Sequence, residues 1–217
     1  MVAWTVVVAL VLTTSAGALL LLWSGPQTTR GNEPENISPA GGQLDERARR
    51  ATIGPVTMDL PGAPFKVSGG THRVAGVLDV VFPAEATIHP RTAQHEGWTA
   101  VACLASVNDQ LADEFDLDHD SIATVRKLAT KVYGRGPTQV SDVHISQHSV
   151  DGYGGVLVTA RVHYEIEGLP SRYDDVTAIV VRLDDGSVVA AFSSVPDDAS
   201  DEIRNLAATS LASLRIE

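Results

Sequence analysis

Three of the seven histidines fall on two neighbouring stretches of predicted strand, together with several carboxylates. Imidazole and carboxylate groups are ligands for zinc and can transfer protons, so this region is the first candidate for chemistry. Because side chains alternate along a strand, we expect the polar members to share one face. These members are Asp142, His144, Ser146, His148, Arg161, His163, Glu165 and Glu167. A turn centred near Gly152-Tyr153 would place His144 opposite Arg161.

The spacing of the histidines argues against a shared metal ion. His144 and His148 are four residues apart, which corresponds to about 13 Å along a strand. Zinc bonds are short and require ligands that converge, so these two side chains could share an ion only if the strand bent. The sequence therefore predicts a solvated polar face with no metal ligand.

Two further features resemble reactive sites but have simpler interpretations. The run Asp116-Leu117-Asp118-His119-Asp120 begins like an EF-hand loop. Its sixth position is Ser121 and its twelfth is Lys127, where calcium requires glycine and a bidentate carboxylate. We interpret these acids as groups that favour the N-terminal end of a helix. Cys103, the single cysteine, lies among alanine and leucine and is interpreted as a small buried hydrophobe.

Motifs of common catalytic and cofactor sites are absent from the sequence. It contains no nucleophile elbow, phosphate-binding loop, zinc-protease helix or paired-cysteine motif. Gly134-Arg135-Gly136-Pro137 is a helix stop rather than a dinucleotide fingerprint, because a proline and then a strand follow. The sequence therefore predicts no catalytic residue, no cofactor and no metal site, and indicates that the chain is not an enzyme.

The first residues set the expected placement of the chain. Residues 2–23 contain no Asp, Glu, Lys or Arg. About 22 helical residues span about 33 Å, enough to cross a bilayer core of about 30 Å. Trp4 and Trp23 suit the two membrane interfaces. We therefore predict a transmembrane anchor over 1–23 and a single-pass protein of the cell membrane. A cleaved signal peptide is the alternative, but the basic start of such a peptide is missing.

The rest of the chain divides by composition. Residues 24–72 are rich in proline and glycine, which is typical of a flexible or extended tether, and a globular domain is expected over 73–217. This layout favours an extracytoplasmic domain of a bacterial cell envelope, with an envelope protein as a candidate partner. The net charge of -11, from 16 Lys+Arg against 27 Asp+Glu, repels phosphate backbones and excludes nucleic acid as a partner.

Hydrophobic periodicity predicts the elements of the domain. They are a strand over 74–82 that Pro83 ends, helices over 96–115 and 121–132, strands over 140–150, 156–167, 176–183 and 187–194, and a helix over 199–214. Asp185-Gly186 is the strongest hairpin signal. The strand over 176–183 is apolar on both faces, which predicts a central position in its sheet.

The order of these elements predicts an α+β fold class. After the N-terminal transmembrane helix, we expect an antiparallel sheet with helices packed on it, arranged as an α-β-α sandwich. The alternative is a cystatin-like domain, in which a curved sheet surrounds one long helix. Strand order distinguishes the two.

The closing half of the chain resembles a known superfamily. Two hairpins precede a last helix, and the sequence contains Asp174-Asp175-Val176-Thr177-Ala178-Ile179-Val180-Val181-Arg182, then Phe192-Ser193-Ser194-Val195-Pro196 and Ser213-Leu214-Arg215-Ile216. Over residues 140–217 this pattern resembles the PsbP-like superfamily, including envelope lipoproteins of mycobacteria. The resemblance implies an α-β-α sandwich that acts as a non-enzymatic accessory or binding domain, and it supplies no catalytic residue. The Ala-, Val- and Asp-rich composition is typical of high-GC actinobacteria.

Three functions follow as hypotheses from these features. The first is an anchored accessory or interaction domain, which the anchor, the tether and the missing catalytic motifs favour. The second is a carrier of a small ligand or lipid, which requires a cavity. The third is a metal-dependent hydrolase that uses His144 and His163.

Overall fold

The computed structural model describes residues 41–69, 72–74, 77–93, 97–108 and 139–217, which form twelve strands and one helix. In chain order the elements are β1 (Gly42–Asp45), β2 (Arg50–Ile53), β3 (Val56–Asp59), β4 (Lys66–Val67), β5 (His72–Val74), β6 (Leu78–His89), β7 (Trp98–Val107), β8 (Gln139–Val150), β9 (Tyr153–His163), β10 (Tyr173–Arg182), β11 (Val188–Pro196), α1 (Asp201–Ala212) and β12 (Arg215–Ile216).

The strands form two sheets. The small sheet has the order β1-β2-β3-β12, and the large sheet has the order β4-β6-β7-β11-β10-β9-β8, with β5 also paired to β6. All neighbouring strands are antiparallel. The predicted central position of the strand over 176–183 is confirmed, because β10 lies between β9 and β11.

The predicted fold class is wrong. The described part of the chain is mostly strand and contains a single helix of 12 residues, rather than an α-β-α sandwich. This sheet-dominated class fits the cystatin-like alternative. The helix predicted over 121–132 lies outside the described residues.

The predicted membrane placement is also corrected. Among the described residues, no helix is long and apolar enough to cross a membrane. This finding contradicts the expected single-pass protein of the cell membrane with an extracytoplasmic domain. The anchor predicted over 1–23 lies outside the described residues.

The helix predicted over 96–115 is wrong in its described part, because residues 98–107 form β7. Every residue from Ala100 to Val107 is buried. Successive side chains of a strand point to opposite faces, so both faces of β7 are buried. Apolar residues in a strand of this kind also recur at spacings of three and four, and periodicity alone cannot distinguish it from a helix. Residues 109–115 lie outside the described ranges.

Strands begin inside the segment predicted as a tether. β1 to β4 lie within residues 42–67, and Ala51, Ile53 and Met58 are almost completely buried. Apolar residues alternate along β2 and β3, and Gly54, with φ +54°, occupies the turn between them. Gly54 therefore marks a turn between two short strands. Residues 24–40 lie outside the described ranges.

The strand predicted over 74–82 is confirmed in part, since β6 begins at Leu78 and continues past Pro83. The carbonyl of Pro83 accepts a hydrogen bond of 3.2 Å from the backbone N–H of Ser68. In an antiparallel ladder the N–H and C=O of one residue point to the same side. The missing N–H of Pro83 therefore faces the short strands β4 and β5, and the ladder with β7 is unaffected.

The helix predicted over 199–214 is confirmed as α1. The hydroxyl of Ser200 accepts a hydrogen bond from the backbone N–H of Ile203, and two acids in the first turn favour the helix dipole. The hydroxyl of Ser210 donates to the carbonyl of Asp59 at 2.6 Å, which ties α1 to β3. The buried stripe of α1 comprises Ile203, Ala207, Ser210 and Leu211.

One face of the large sheet is covered over only part of its width. The small sheet and α1 pack on this face, mainly on β7 and β11. The resulting core includes Met58, Phe82, Leu104 and Leu211. On the β8–β9 part of the same face, His144, Ser146 and Arg161 are exposed. The fold therefore leaves a strip of polar sheet surface beside α1.

Burial raises the pKa of Glu85, a partly buried carboxyl on β6, above its usual 4.5. Its charged form is therefore less favourable in the folded than in the unfolded state, a cost present above the unfolded pKa and absent at lower pH. We expect Glu85→Gln to raise the free energy of unfolding at pH 7 by a few tenths of a kcal/mol. Urea denaturation should show this gain disappearing at pH 3. The exposed-loop control Glu165→Gln should change stability at neither pH, and a gain that persists at pH 3 would contradict this explanation.

Candidate binding face

The hairpin of β8 and β9 carries most of the predicted polar residues. Its turn is Asp151-Gly152, with φ of 48° and 91°, and positive φ at both positions is typical of a type I′ turn. Val150 pairs with Tyr153 across this turn. The predicted register is therefore wrong, and His144 lies opposite Thr159 rather than Arg161. An Asp-Gly dipeptide favours this type of turn, and the glycines that follow it belong to β9.

The register still places the polar strand residues on one face. His144, Ser146 and His148 on β8 pair with alternate residues of β9, and Arg161 and His163 continue the same alternation. Asp142 has φ 51° and occupies a bulge, but its carboxylate reaches back to Arg161. We call this surface the polar face; it comprises Ser141, Asp142, His144, Ser146, His148, Arg161, His163, Tyr173 and Asp175.

Two predicted members lie elsewhere. β9 ends at His163, and Glu165 and Glu167 belong to the loop that joins β9 to β10. There they line a wide hollow of about 1200 Å³ together with Gln139 and Arg172.

Ion pairs link the polar face to α1. Arg161 Nη1 lies 3.1 Å from Asp142 Oδ2, and its Nε lies 3.1 Å from Asp175 Oδ1. Its guanidinium also stacks 4.9 Å from the ring centroid of Tyr173. The hydrogen bond that Arg161 donates to Asp175 is the main reason that the pKa of Arg161 is raised. Arg204 of α1 binds the second oxygen of Asp175 at 3.0 Å. Exposed pairs of this kind contribute little stability, but together they fix the position of the charges.

The histidines of the polar face do not converge. His163 Nε2 lies 2.8 Å from the Ser141 hydroxyl, and its ring packs 5.3 Å from Tyr173. His144 is exposed. His148 is partly buried and lies near the turn of the hairpin, at the other end from His163. Across the described residues, no three His, Cys, Asp or Glu side chains are grouped as a metal site requires. The geometry therefore gives no support to the hydrolase that uses His144 and His163.

A groove runs between α1 and the β9–β10 part of the sheet, continuous with the polar face. Its volume is about 460 Å³. Its apolar lining comprises Val150, Leu157, Ile179, Ala208, Leu211, Ala212 and Leu214, and its polar lining includes His148, Asp151, Thr177 and Arg215. The groove forms because α1 packs over β11 and β7, so its outer side stands beside uncovered strands. An apolar depression rimmed by polar groups is typical of an interaction site.

A buried acid holds the opposite end of the sheet together. Asp174 is 2% exposed, and its carboxylate accepts hydrogen bonds from Trp98 Nε1 at 3.1 Å, the Tyr164 hydroxyl at 2.7 Å and the Ser194 hydroxyl at 2.6 Å. The rings of Trp98 and Tyr164 pack 4.6 Å apart. Burial and the neighbouring Asp174 raise the pKa of Tyr164 far above its usual range. This network connects β7, β10 and β11 through hydrogen bonds among its own polar groups.

Two further candidates from the sequence remain, the single cysteine and the acidic run. Cys103 is 2% exposed, and burial raises its pKa to about 12, so it remains a thiol at neutral pH. The interpretation of Cys103 as a buried hydrophobe is confirmed. The acidic run over 116–120 lies outside the described residues.

Sequence reasoning missed the groove and the buried acid. The groove depends on where α1 packs, which no local pattern contains. Asp174 follows Tyr173 at the start of a strand, and its neighbour Asp175 is half exposed. One signal was available: Trp98 and Tyr164 carry polar groups that require a partner when buried.

Among solved structures, the comparisons include a match to a protein of a cyanobacterium. No family model and no curated protein matches the chain. A solution structure of cyanobacterial PsbP from Synechocystis is similar at 17% sequence identity and a TM-score of 0.45, covering 89% of this chain and 100% of that one. This match agrees with the resemblance to the PsbP-like superfamily, and at this TM-score and identity it carries no inference about function.

Proposed function

We propose that this chain is a non-enzymatic interaction domain that binds a protein partner through the groove and the adjoining polar face. The observation that carries this proposal is the apolar lining of the groove, which opens directly beside an organised set of charges. Apolar side chains of a partner can enter such a groove while its polar groups pair with the rim.

The character of the surrounding surface also supports an interaction domain. The polar face carries both signs of charge at fixed positions, which suits the orientation of a partner during association. Arg161 and Arg204 both contact Asp175, so this part of the polar face is already ordered before binding. An ordered surface loses less entropy when a partner docks.

A small-ligand carrier is the second candidate, and the apolar lining of the same groove favours it. A volume of about 460 Å³ lies within the usual range for ligand pockets. The two functions differ in the size of what occupies the groove, which an experiment can measure directly.

Site-specific photo-crosslinking tests the proposal. A benzophenone amino acid replaces Ala212, an exposed residue of α1 that lines the groove, and in a control chain it replaces Gln43, an exposed residue of β1. We expect irradiation of expressing cells to give a discrete protein adduct at Ala212 and none at Gln43. An adduct of small mass would favour the carrier, and equal adducts at both positions, or no adduct, would contradict the proposed function.

A further inference from the structure

The outer edge of the large sheet at β8 is the basis of a separate inference. β8 ends the strand order and has 12 residues, which is long for an edge strand. Within the described ranges it pairs with β9 alone, and no other backbone hydrogen bond joins it to a described residue. An edge of this length offers a row of N–H and C=O groups to another strand.

The hairpin geometry shows which residues direct these groups outward. Val150 and Tyr153 flank a two-residue turn, and such flanking residues form a hydrogen-bonded pair. Hydrogen-bonded and non-hydrogen-bonded pairs then alternate along β8. The residues whose backbone groups point away from β9 are therefore Ile145, Gln147 and Ser149.

From His144 to Val150 the edge contains no charged residue, proline or bulge, which are features that commonly prevent strand pairing. The stretch His144–Val150 contains no Lys, Arg, Asp, Glu or Pro. The bulge of β8 lies before it, at Asp142. Natural edge strands are normally protected by charges, prolines or bulges within the exposed stretch. Seven consecutive residues of regular, uncharged edge are therefore exceptional and indicate a partner strand.

We propose that this edge pairs with the same edge of a second copy of the chain, around a two-fold axis at Gln147. In this antiparallel register, Gln147 faces Gln147 of the second copy, and Ile145 faces Ser149. All three outward-facing residues then exchange backbone hydrogen bonds with outward-facing residues of the second copy.

Side chains support this register as well as the backbone does. His148 lies opposite Ser146 of the second copy and His144 opposite Val150, so no like charges are opposed. A single strand pair buries limited area, and the dimer is therefore weak and concentration dependent. Because His148 lines the groove, the two grooves of the dimer lie near each other across the axis. The proposal does not depend on what occupies them.

A charge exchange at Gln147 tests the dimer and its register together. Gln147 is exposed, so its replacement leaves the core intact. In the full-length chain, Gln147→Lys and Gln147→Glu should each weaken the self-association measured by sedimentation equilibrium about tenfold, because like charges meet at the axis. An equimolar mixture should recover it as a mixed dimer.

A charge control away from β8 and a test of folding accompany this experiment. Gln43→Lys adds the same charge on the small sheet and should leave the dimer unchanged. Circular dichroism verifies that each variant is folded. A wild-type chain that remains monomeric at every concentration overturns the proposal. Variants that associate as wild type does, or a mixture that shows no recovery, also overturn it.

Discussion

Replacing Asp174 with alanine is expected to lower the free energy of unfolding by about 3–5 kcal/mol. The change removes an acceptor shared by Trp98, Tyr164 and Ser194 and leaves three donors without that partner; the bonds from Tyr164 and Ser194 are buried and the bond from Trp98 is partly buried. Each buried donor that loses its partner costs about 1–3 kcal/mol. Urea denaturation followed by far-UV circular dichroism measures the loss.

A conservative replacement separates the hydrogen bonds from the packing at this site. Asp174→Asn keeps the shape and the oxygen that accepts from Trp98 and Tyr164, while the Ser194 hydroxyl can turn to accept from the new amide. We therefore expect Asp174→Asn to cost at least about 1 kcal/mol less than the alanine variant. Equal losses for the two variants would show that packing, rather than hydrogen bonding, determines the stability of this network.

The parts of the fold that could be predicted from the sequence have strong local signals. The two hairpins are marked by Asp-Gly turns between strands, and α1 by its capping serine and amphipathic stripe. These elements are determined by neighbouring residues, and periodicity and turn chemistry describe such neighbours well.

The parts that were predicted wrongly depend on distant contacts. Periodicity predicts a helix where β7 lies, because a strand buried on both faces has no period of two. β1 to β3 lie in the segment predicted as a tether, although they form one sheet in which β3 pairs with the distant β12. Short strands of this kind have little signal of their own, and their structure comes from their partners.

Part of the candidate site could be predicted from local patterns in the sequence, and part depends on distant contacts. Alternation predicted that the polar residues of β8 and β9 share a face, and the structure places them so, with a shifted register. The ion pairs with Asp175 and Arg204, and the groove beside α1, bring together residues from separate elements. The spacing of residues in the sequence does not predict how α1 packs beside the sheet.

A charge introduced into the groove is expected to weaken binding of the partner. Ala208 is an exposed residue of α1 that lines the groove, and Ala208→Glu places a carboxylate where apolar groups of a partner are expected to dock. Burying that charge without a pairing cation is unfavourable, so binding should weaken by about 10- to 100-fold. Glutamate is a good helix former, and we expect the stability of the variant to change by less than about 1 kcal/mol.

The direct measurement is the dissociation constant, by isothermal titration calorimetry, for the protein that crosslinks at Ala212. The matched control is Thr209→Glu, which adds the same charge one residue further along α1 at an exposed position outside the groove lining. We expect Ala208→Glu to weaken binding at least about tenfold and Thr209→Glu to leave it unchanged. Equal affinity for the two variants would contradict a binding site in the groove.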